Sequence, residues 1–254
     1  MAHTICITNQ KGGVGKTTTA INLSAALALS SKKTLLVDCD PQGNATSGIG
    51  IDKSSIENTL YHGMIGEALI DDIIQETEID ALSVIPSRVE LIGFEVEMMS
   101  KPGREKILSN LLNGVTNSYD YILIDCPPSL SLLTLNAMAA SDYVLIPLQS
   151  EFFALEGLGQ LLQTVKLIKQ GMNPDLKIAG ILLTMYDKRT LLARQVADDA
   201  QKYFKDQVFK TRIPRNVRLG EAPSFGLPIF QYEPNSKGAQ SYMELAKEII
   251  KKHS

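Results

Sequence analysis

Residues 4–18 read Thr4-Ile5-Cys6-Ile7-Thr8-Asn9-Gln10-Lys11-Gly12-Gly13-Val14-Gly15-Lys16-Thr17-Thr18. An apolar strand runs straight into glycines, a lysine and two threonines. A stretch rich in Ala and Leu at 20–29 then predicts a helix. Strand, glycine loop and helix in this order form a phosphate cradle. The glycines let backbone N–H groups close around phosphate oxygens, Lys16 reaches the β and γ phosphates, and the Thr17 hydroxyl can ligate Mg²⁺. The positive end of the helix dipole adds to the site. Gln10 stands where the general pattern has its first glycine. Lys11 precedes the glycines, so the cradle does not require it. It reads either as a solvated surface lysine or as a cation for a second set of phosphates.

The rest of the chain sets this loop in a doubly wound α/β domain. Short apolar runs predict strands at 4–8, 34–38, 82–85, 121–125, 143–147 and 178–184. Most are nearly continuous Ile, Leu and Val, as in parallel strands covered on both faces. Helical patterns lie at 16–29, 104–112, 131–139, 155–169, 190–204 and 238–252. This βα alternation predicts a mostly parallel sheet in one domain spanning 1–254. Residues 51–99 are less regular and predict short helices on the sheet edge.

Composition narrows the function. The 254 residues are 44% hydrophobic and carry a net charge of −3, which argues against a uniformly basic nucleic-acid binder but allows a local basic patch. Cys6, Cys39 and Cys126 each lie in or at the end of an apolar strand and match no zinc spacing. Three buried thiols fit a reducing cytoplasm. The first strand begins so early that no signal peptide is expected, and no apolar run has the length of a membrane span.

Ligands of open α/β sheets bind beyond the carboxyl ends of the strands. Two further strands deliver carboxylates there. One ends Val37-Asp38-Cys39-Asp40-Pro41-Gln42-Gly43-Asn44, the other Ile124-Asp125-Cys126-Pro127-Pro128. Asp125 has the form of the Mg²⁺-associated aspartate of phosphate-loop ATPases. Asp38 and Asp40 are two apart, and on a strand they would face one side and repel without a cation or separate donors, Mg²⁺ with polarised water being the natural reason for the pair. Asp40 lies further out, where it could orient an attacking water. Asp38 suits the surroundings of the metal.

The chain resembles the ParA/Soj family of chromosome- and plasmid-partitioning ATPases, within the deviant Walker A (MinD/ParA) superfamily. The resemblance rests on Lys11 to Thr18, on Asp38-Cys39-Asp40-Pro41-Gln42-Gly43-Asn44-Ala45-Thr46, on Ile124-Asp125-Cys126-Pro127-Pro128-Ser129, and on Ile213-Pro214-Arg215-Asn216-Val217-Arg218. It implies a dimer that sandwiches ATP between two subunits, with Lys11 crossing to the partner's phosphates. It implies Asp40 as the hydrolytic aspartate, Pro214 and Asn216 against adenine, and ATP/ADP with Mg²⁺ as the ligands. It also implies ATP-dependent binding to double-stranded DNA without sequence preference, stimulation by a ParB-type centromere-binding protein, and a cytoplasmic, nucleoid-associated location. Arg189 and Arg218, and more weakly Arg215, correspond to DNA-contacting positions.

The DNA reading has an independent sequence signal. Residues 186–220 hold nine basic and four acidic side chains in a chain that is acidic overall. Two other classes share the loop. A MinD-like membrane-switching ATPase would carry a terminal amphipathic membrane-targeting segment. Here Met243, Leu245, Ala246, Ile249 and Ile250 read as core spacing, and no membrane partner is expected. An iron–sulfur electron-transfer ATPase would need thiolates at a subunit seam, which none of the cysteines suits.

Overall fold

The computed structural model describes residues 1–151 and 154–253. In chain order the elements are β1 (His3–Ile7), α1 (Lys16–Leu29), β2 (Thr34–Asp38), α2 (Asn44–Gly48), α3 (Leu60–Ile65), α4 (Ile70–Ile73), β3 (Gln75–Glu76), β4 (Leu82–Ile85), α5 (Leu91–Glu97), α6 (Ile107–Leu112), β5 (Tyr121–Asp125), α7 (Leu132–Ala139), β6 (Tyr143–Gln149), α8 (Ala154–Gly171), β7 (Lys177–Thr184), α9 (Leu191–Phe204), α10 (Val217–Glu221), α11 (Ile229–Tyr232) and α12 (Lys237–His253). The strands form one seven-stranded sheet in the order β3-β4-β2-β5-β1-β6-β7. Every pairing is parallel except that of β3 with β4.

Strand periodicity divides the core between the two faces. Ile5, Ile7, Leu36, Leu123, Leu145 and Leu182 pack with α1 and α12 on one face. Cys6, Leu35, Val37, Ile122, Ile124 and Ile146 pack with α5 to α9 on the other. Helix α1 is apolar on nearly every side and correspondingly buried, held between the sheet and α12. Buried polar side chains lock it there. Asn22 accepts from the Ile229 N–H at 2.7 Å, and the hydroxyls of Thr19 and Tyr242 lie 3.1 Å apart.

Register fixes the chemistry at the carboxyl edge. Asp125 at the end of β5 is level with Ile7 of β1 on one side and with Asp38 of β2 on the other. The glycine loop and both aspartate-bearing turns therefore emerge side by side.

The expected strands are all present, with ends displaced by a residue or two. The expected helix at 104–112 is divided. A 3₁₀ turn at Arg104–Lys106 follows Gly103 in the left-handed region, and α6 starts only at Ile107. The antiparallel strand β3, two residues long, has no periodicity to betray it. The basic window at 186–220 does not form one patch. Helix α9, 14 residues and about 21 Å long, carries its charges across the whole height of the sheet. Its end, with Phe204 and Gln207, reaches the opposite edge beside Lys166, Lys169 and Lys177.

Candidate functional site

The phosphate loop is shaped by backbone that only glycine adopts cheaply. Gly13 and Gly15 have φ of 73° and 88°, and Gly15 caps α1. The loop is anchored from beneath. The Thr184 hydroxyl at the end of β7 donates to the Val14 carbonyl at 2.8 Å, and the Asn9 amide donates to the Pro147 carbonyl at 2.7 Å. Lys16, 7% exposed, donates to the Lys11 carbonyl across the loop at 3.0 Å. Burial lowers its pKa, and Asp125, Cys126 and Asp40 oppose that shift.

Lys11 faces away from this cradle. Its Nζ pairs with Glu151 at 2.5 Å, both side chains being almost half exposed, and Gln149 holds the other carboxylate oxygen of Glu151. In the single chain Lys11 thus stands on the rim with a carboxylate partner of its own.

The three aspartates occupy different environments. Asp125 is wholly buried. Neither of its oxygens has a hydrogen-bond partner among the described residues, the neighbouring Thr17 hydroxyl falling short of bonding geometry. Burial raises its pKa well above the ordinary carboxylate range, Asp38 adds to the shift, and Thr17 and Lys16 work against it. Asp38 is equally buried but well supplied with donors. Its Oδ2 accepts from both the N–H and the hydroxyl of Thr46 at 2.7 Å, and its Oδ1 accepts from the Asp40 N–H at 3.2 Å. Burial pushes its pKa up to about 6 despite those bonds. Asp40 is 8% exposed, and its Oδ1 accepts from the Gln42 N–H at 2.9 Å in the turn that follows.

A buried carboxylate with no donor is costly in a ligand-free protein and calls for a cation. Asp125 and the Thr17 hydroxyl beside it fit Mg²⁺, which keeps several waters and takes one or two protein oxygens together with substrate phosphates.

Two adjoining cavities complete the site. One, of about 330 Å³, is lined by Gly12, Gly13, Lys16, Thr17 and Asp40, among others. The second, of about 460 Å³, has Met185, Pro214, Asn216, Leu219 and Tyr242 in its walls. Gly15, Thr18 and Met185 border both. A cavity lined by glycine backbone, a lysine and threonines beside a largely apolar one matches the two ends of a nucleotide. Asn216 caps α10, its Oδ1 accepting from the Arg218 N–H at 2.9 Å, so its amide N–H groups remain available to a base.

Of the residues singled out from sequence, Gly12, Gly13, Gly15 to Thr18 and Asp40 line the first cavity, and Pro214, Arg215 and Asn216 the second. Asp38 and Asp125 are buried at the ends of β2 and β5 and line neither, and Val14 is buried beneath the loop. Arg189, Arg215 and Arg218 lie on the exposed surface. Arg189 pairs with Asp187 at 2.7 Å and Arg218 with Glu221 at 2.8 Å. Sequence reasoning missed Met185 and Tyr242. Met185 directly follows a strand end and was within reach of the strand-edge rule. Tyr242 enters from α12, and no local pattern announces it. The three cysteines are buried, as expected of small hydrophobes.

Comparison with known proteins yields a consistent set of matches. A family model described as an AAA domain matches residues 2–178. The chain is 55% identical to the sporulation initiation inhibitor protein Soj of Bacillus subtilis over 249 residues, 98% of each chain. It is also 55% identical to the chromosome partitioning protein ParA of Myxococcus xanthus over 248 residues, 98% of this chain and 88% of that one. Among solved structures, a cobyrinic acid a,c-diamide synthase from Mycobacterium smegmatis with bound ADP and magnesium superposes with a TM-score of 0.87. Its sequence identity is 35%, over 99% of this chain and 95% of that one.

The state of Asp125 predicts a trade of stability for binding. Asp125→Asn removes a buried carboxyl whose raised pKa costs folding stability as the pH rises above the ordinary carboxylate range, so thermal or denaturant unfolding of the ligand-free protein at pH 7 should show a gain of about 1–3 kcal/mol that shrinks toward about pH 4. The same variant should lose the Mg²⁺-dependent part of its nucleotide affinity in a fluorescent-nucleotide titration.

Proposed function

The chain belongs to the ParA/Soj family of partitioning ATPases, and on that premise we propose that it is an ATP-gated DNA-binding switch for chromosome or plasmid segregation. The observation that carries the reading is the pair of lysines in one loop with opposite orientations. Lys16 turns into the cradle of its own chain. Lys11 turns out to the rim, held there by Glu151. A cation turned from its own cradle toward the rim is suited to the phosphates of a second subunit.

In this reading ATP lies with its base between Met185, Pro214, Asn216 and Tyr242 and its phosphates on the N–H groups of residues 12–18. Mg²⁺, held by Thr17 and Asp125 and with Asp38 close by, would neutralise charge on the phosphate oxygens. Asp40 orients the attacking water, its second oxygen being free of the turn that holds the first. Lys11 exchanges Glu151 for the partner subunit's phosphates, which closes the dimer. An exposed ion pair is worth about 0–1 kcal/mol, so the exchange is easily reversed and suits a switch.

The closed dimer brings two copies of Arg189 and Arg218 to one DNA duplex, with Arg215 nearby. All three are exposed, and Asp187 and Glu221, the carboxylate partners of Arg189 and Arg218, can be exchanged for phosphodiester groups. The split of the basic window favours these strand-edge arginines over Lys202 and Lys205. Stimulation by a ParB-type partner and a place on the nucleoid in the cytoplasm follow from the family. A MinD-like membrane role is less suited. Leu245, Ala246 and Ile249 of α12 are spent against α1 in the core, and no helix among the described residues is long and apolar enough to cross a membrane.

Light scattering with Mg²⁺ and ATP tests the switch. Wild type should dimerise, Asp40→Ala should give a longer-lived dimer, and Lys11→Ala should stay monomeric. A Lys11→Ala dimer as stable as wild type would exclude the intersubunit lysine. For DNA, about four arginine–phosphate contacts per dimer give a slope of log affinity against log salt near −3.6. A slope near zero in a dimer-forming protein would exclude phosphate-backbone binding.

A further inference from the structure

The turn that carries Asp40 is held at both ends by a single side chain. Asp38 lies beneath it, with no exposed surface. Its Oδ1 holds the Asp40 N–H at the start of the turn, and its Oδ2 holds the N–H and hydroxyl of Thr46, six residues on and inside α2. The Thr46 hydroxyl is in turn an acceptor, taking the Ser87 N–H at 2.9 Å just beyond the end of β4. A continuous chain of donors therefore runs from the β4 loop through Thr46 to Asp38, and from Asp38 to the backbone of Asp40.

The packing leaves the turn little room to settle elsewhere. Gly43, at its centre, has φ of 61°, and a Cβ there would lie 2.5 Å from the Ser87 carbonyl. The Gly43 N–H closes the turn on the Asp40 carbonyl at 2.9 Å. Helix α2 has only five residues, too few to stand without such an anchor. Thr46 itself is wholly buried and lines neither cavity of the nucleotide site.

We infer that Thr46 is a positioning residue for ATP hydrolysis: through Asp38 it fixes the 40–46 turn against β4 and so sets the place of the Asp40 carboxylate. The inference rests on the reading of Asp40 as the residue that orients water. It assigns Asp38 first to this anchoring and only secondarily to the surroundings of the metal. It also explains why two carboxylates two residues apart coexist. One is held by protein donors so that the other can face substrate.

Thr46→Val keeps the shape and removes the hydroxyl, leaving one Asp38 oxygen with a single donor and the Ser87 N–H without its acceptor. A displacement of Asp40 on the order of 1 Å should lower kcat for ATP about 10- to 100-fold. KM for ATP and fluorescent-nucleotide affinity should change by less than about twofold, because the phosphate loop and base cavity are untouched. Thr46→Ser, which restores the hydroxyl, should recover most of the rate. In an Asp40→Ala background, Thr46→Val should cost nothing further, since the two changes act through one group. If Thr46→Val does not fold, Thr46→Ala, which keeps the N–H bond to Asp38, carries the same comparison. Wild-type kcat in Thr46→Val, or a double variant slowed by the product of the single effects, would overturn the inference. Full hydrolysis by Asp40→Ala would instead remove the reading of Asp40 on which it stands.

Discussion

A fully buried carboxylate with no hydrogen-bond partner among the described residues, at the centre of the sheet's carboxyl edge, is the constraint around which this molecule is arranged. Asp125 is placed by the register of β5 between β1 and β2. That register is enforced by two apolar faces, since a one-residue slip would turn Leu123 and Ile124 to the wrong cores. The fold thus holds charge where it is least stable. Lys16 offsets only part of it, for burial weakens its own hold on a proton. On the proposed reading, a metal-bound triphosphate would supply a cation for Asp125 and anions for the loop.

The same edge shows how three carboxylates avoid a common fate. Asp38 is satisfied by protein donors, Asp40 by the turn it begins, and Asp125 has no hydrogen-bond partner among the described residues. Differences in donor supply, more than differences in distance, separate their roles. Lys11 and Glu151 follow the same logic on the rim. An exposed pair keeps the lysine's charge partnered until better anions arrive, at little cost in releasing it.

Much of this was legible in the sequence because it is local. The strand, glycines and helix of the loop, the apolar runs ending in Asp38 and Asp125, and the core spacing of α12 are all read from neighbouring residues. What escaped depends on pairings distant in sequence. Thr46 meets Asp38 through a turn, and Ser87 meets Thr46 across 41 residues. Tyr242 reaches the base cavity from the last helix. The window at 186–220 is contiguous in sequence but not in space, because α9 runs from one edge of the sheet to the other. The pairing of Asp38 with Asp40 misled through period-two reasoning. The strand ends at Asp38, so the two side chains do not share a strand face.

The most direct test of the central claim is a thermal melt of the ligand-free protein against ADP with Mg²⁺ and ADP with a chelator, at matched concentrations near 100 times the dissociation constant of the magnesium complex. Occupancy of this kind stabilises by about 2.7 kcal/mol. For a chain of this size that is a rise in Tm of roughly 5–10 °C. The account predicts that rise with Mg²⁺ and most of it lost with the chelator. Equal stabilisation by ADP with and without the metal would contradict it, for Asp125 would then remain unpartnered in the bound protein and the edge would be built for something else.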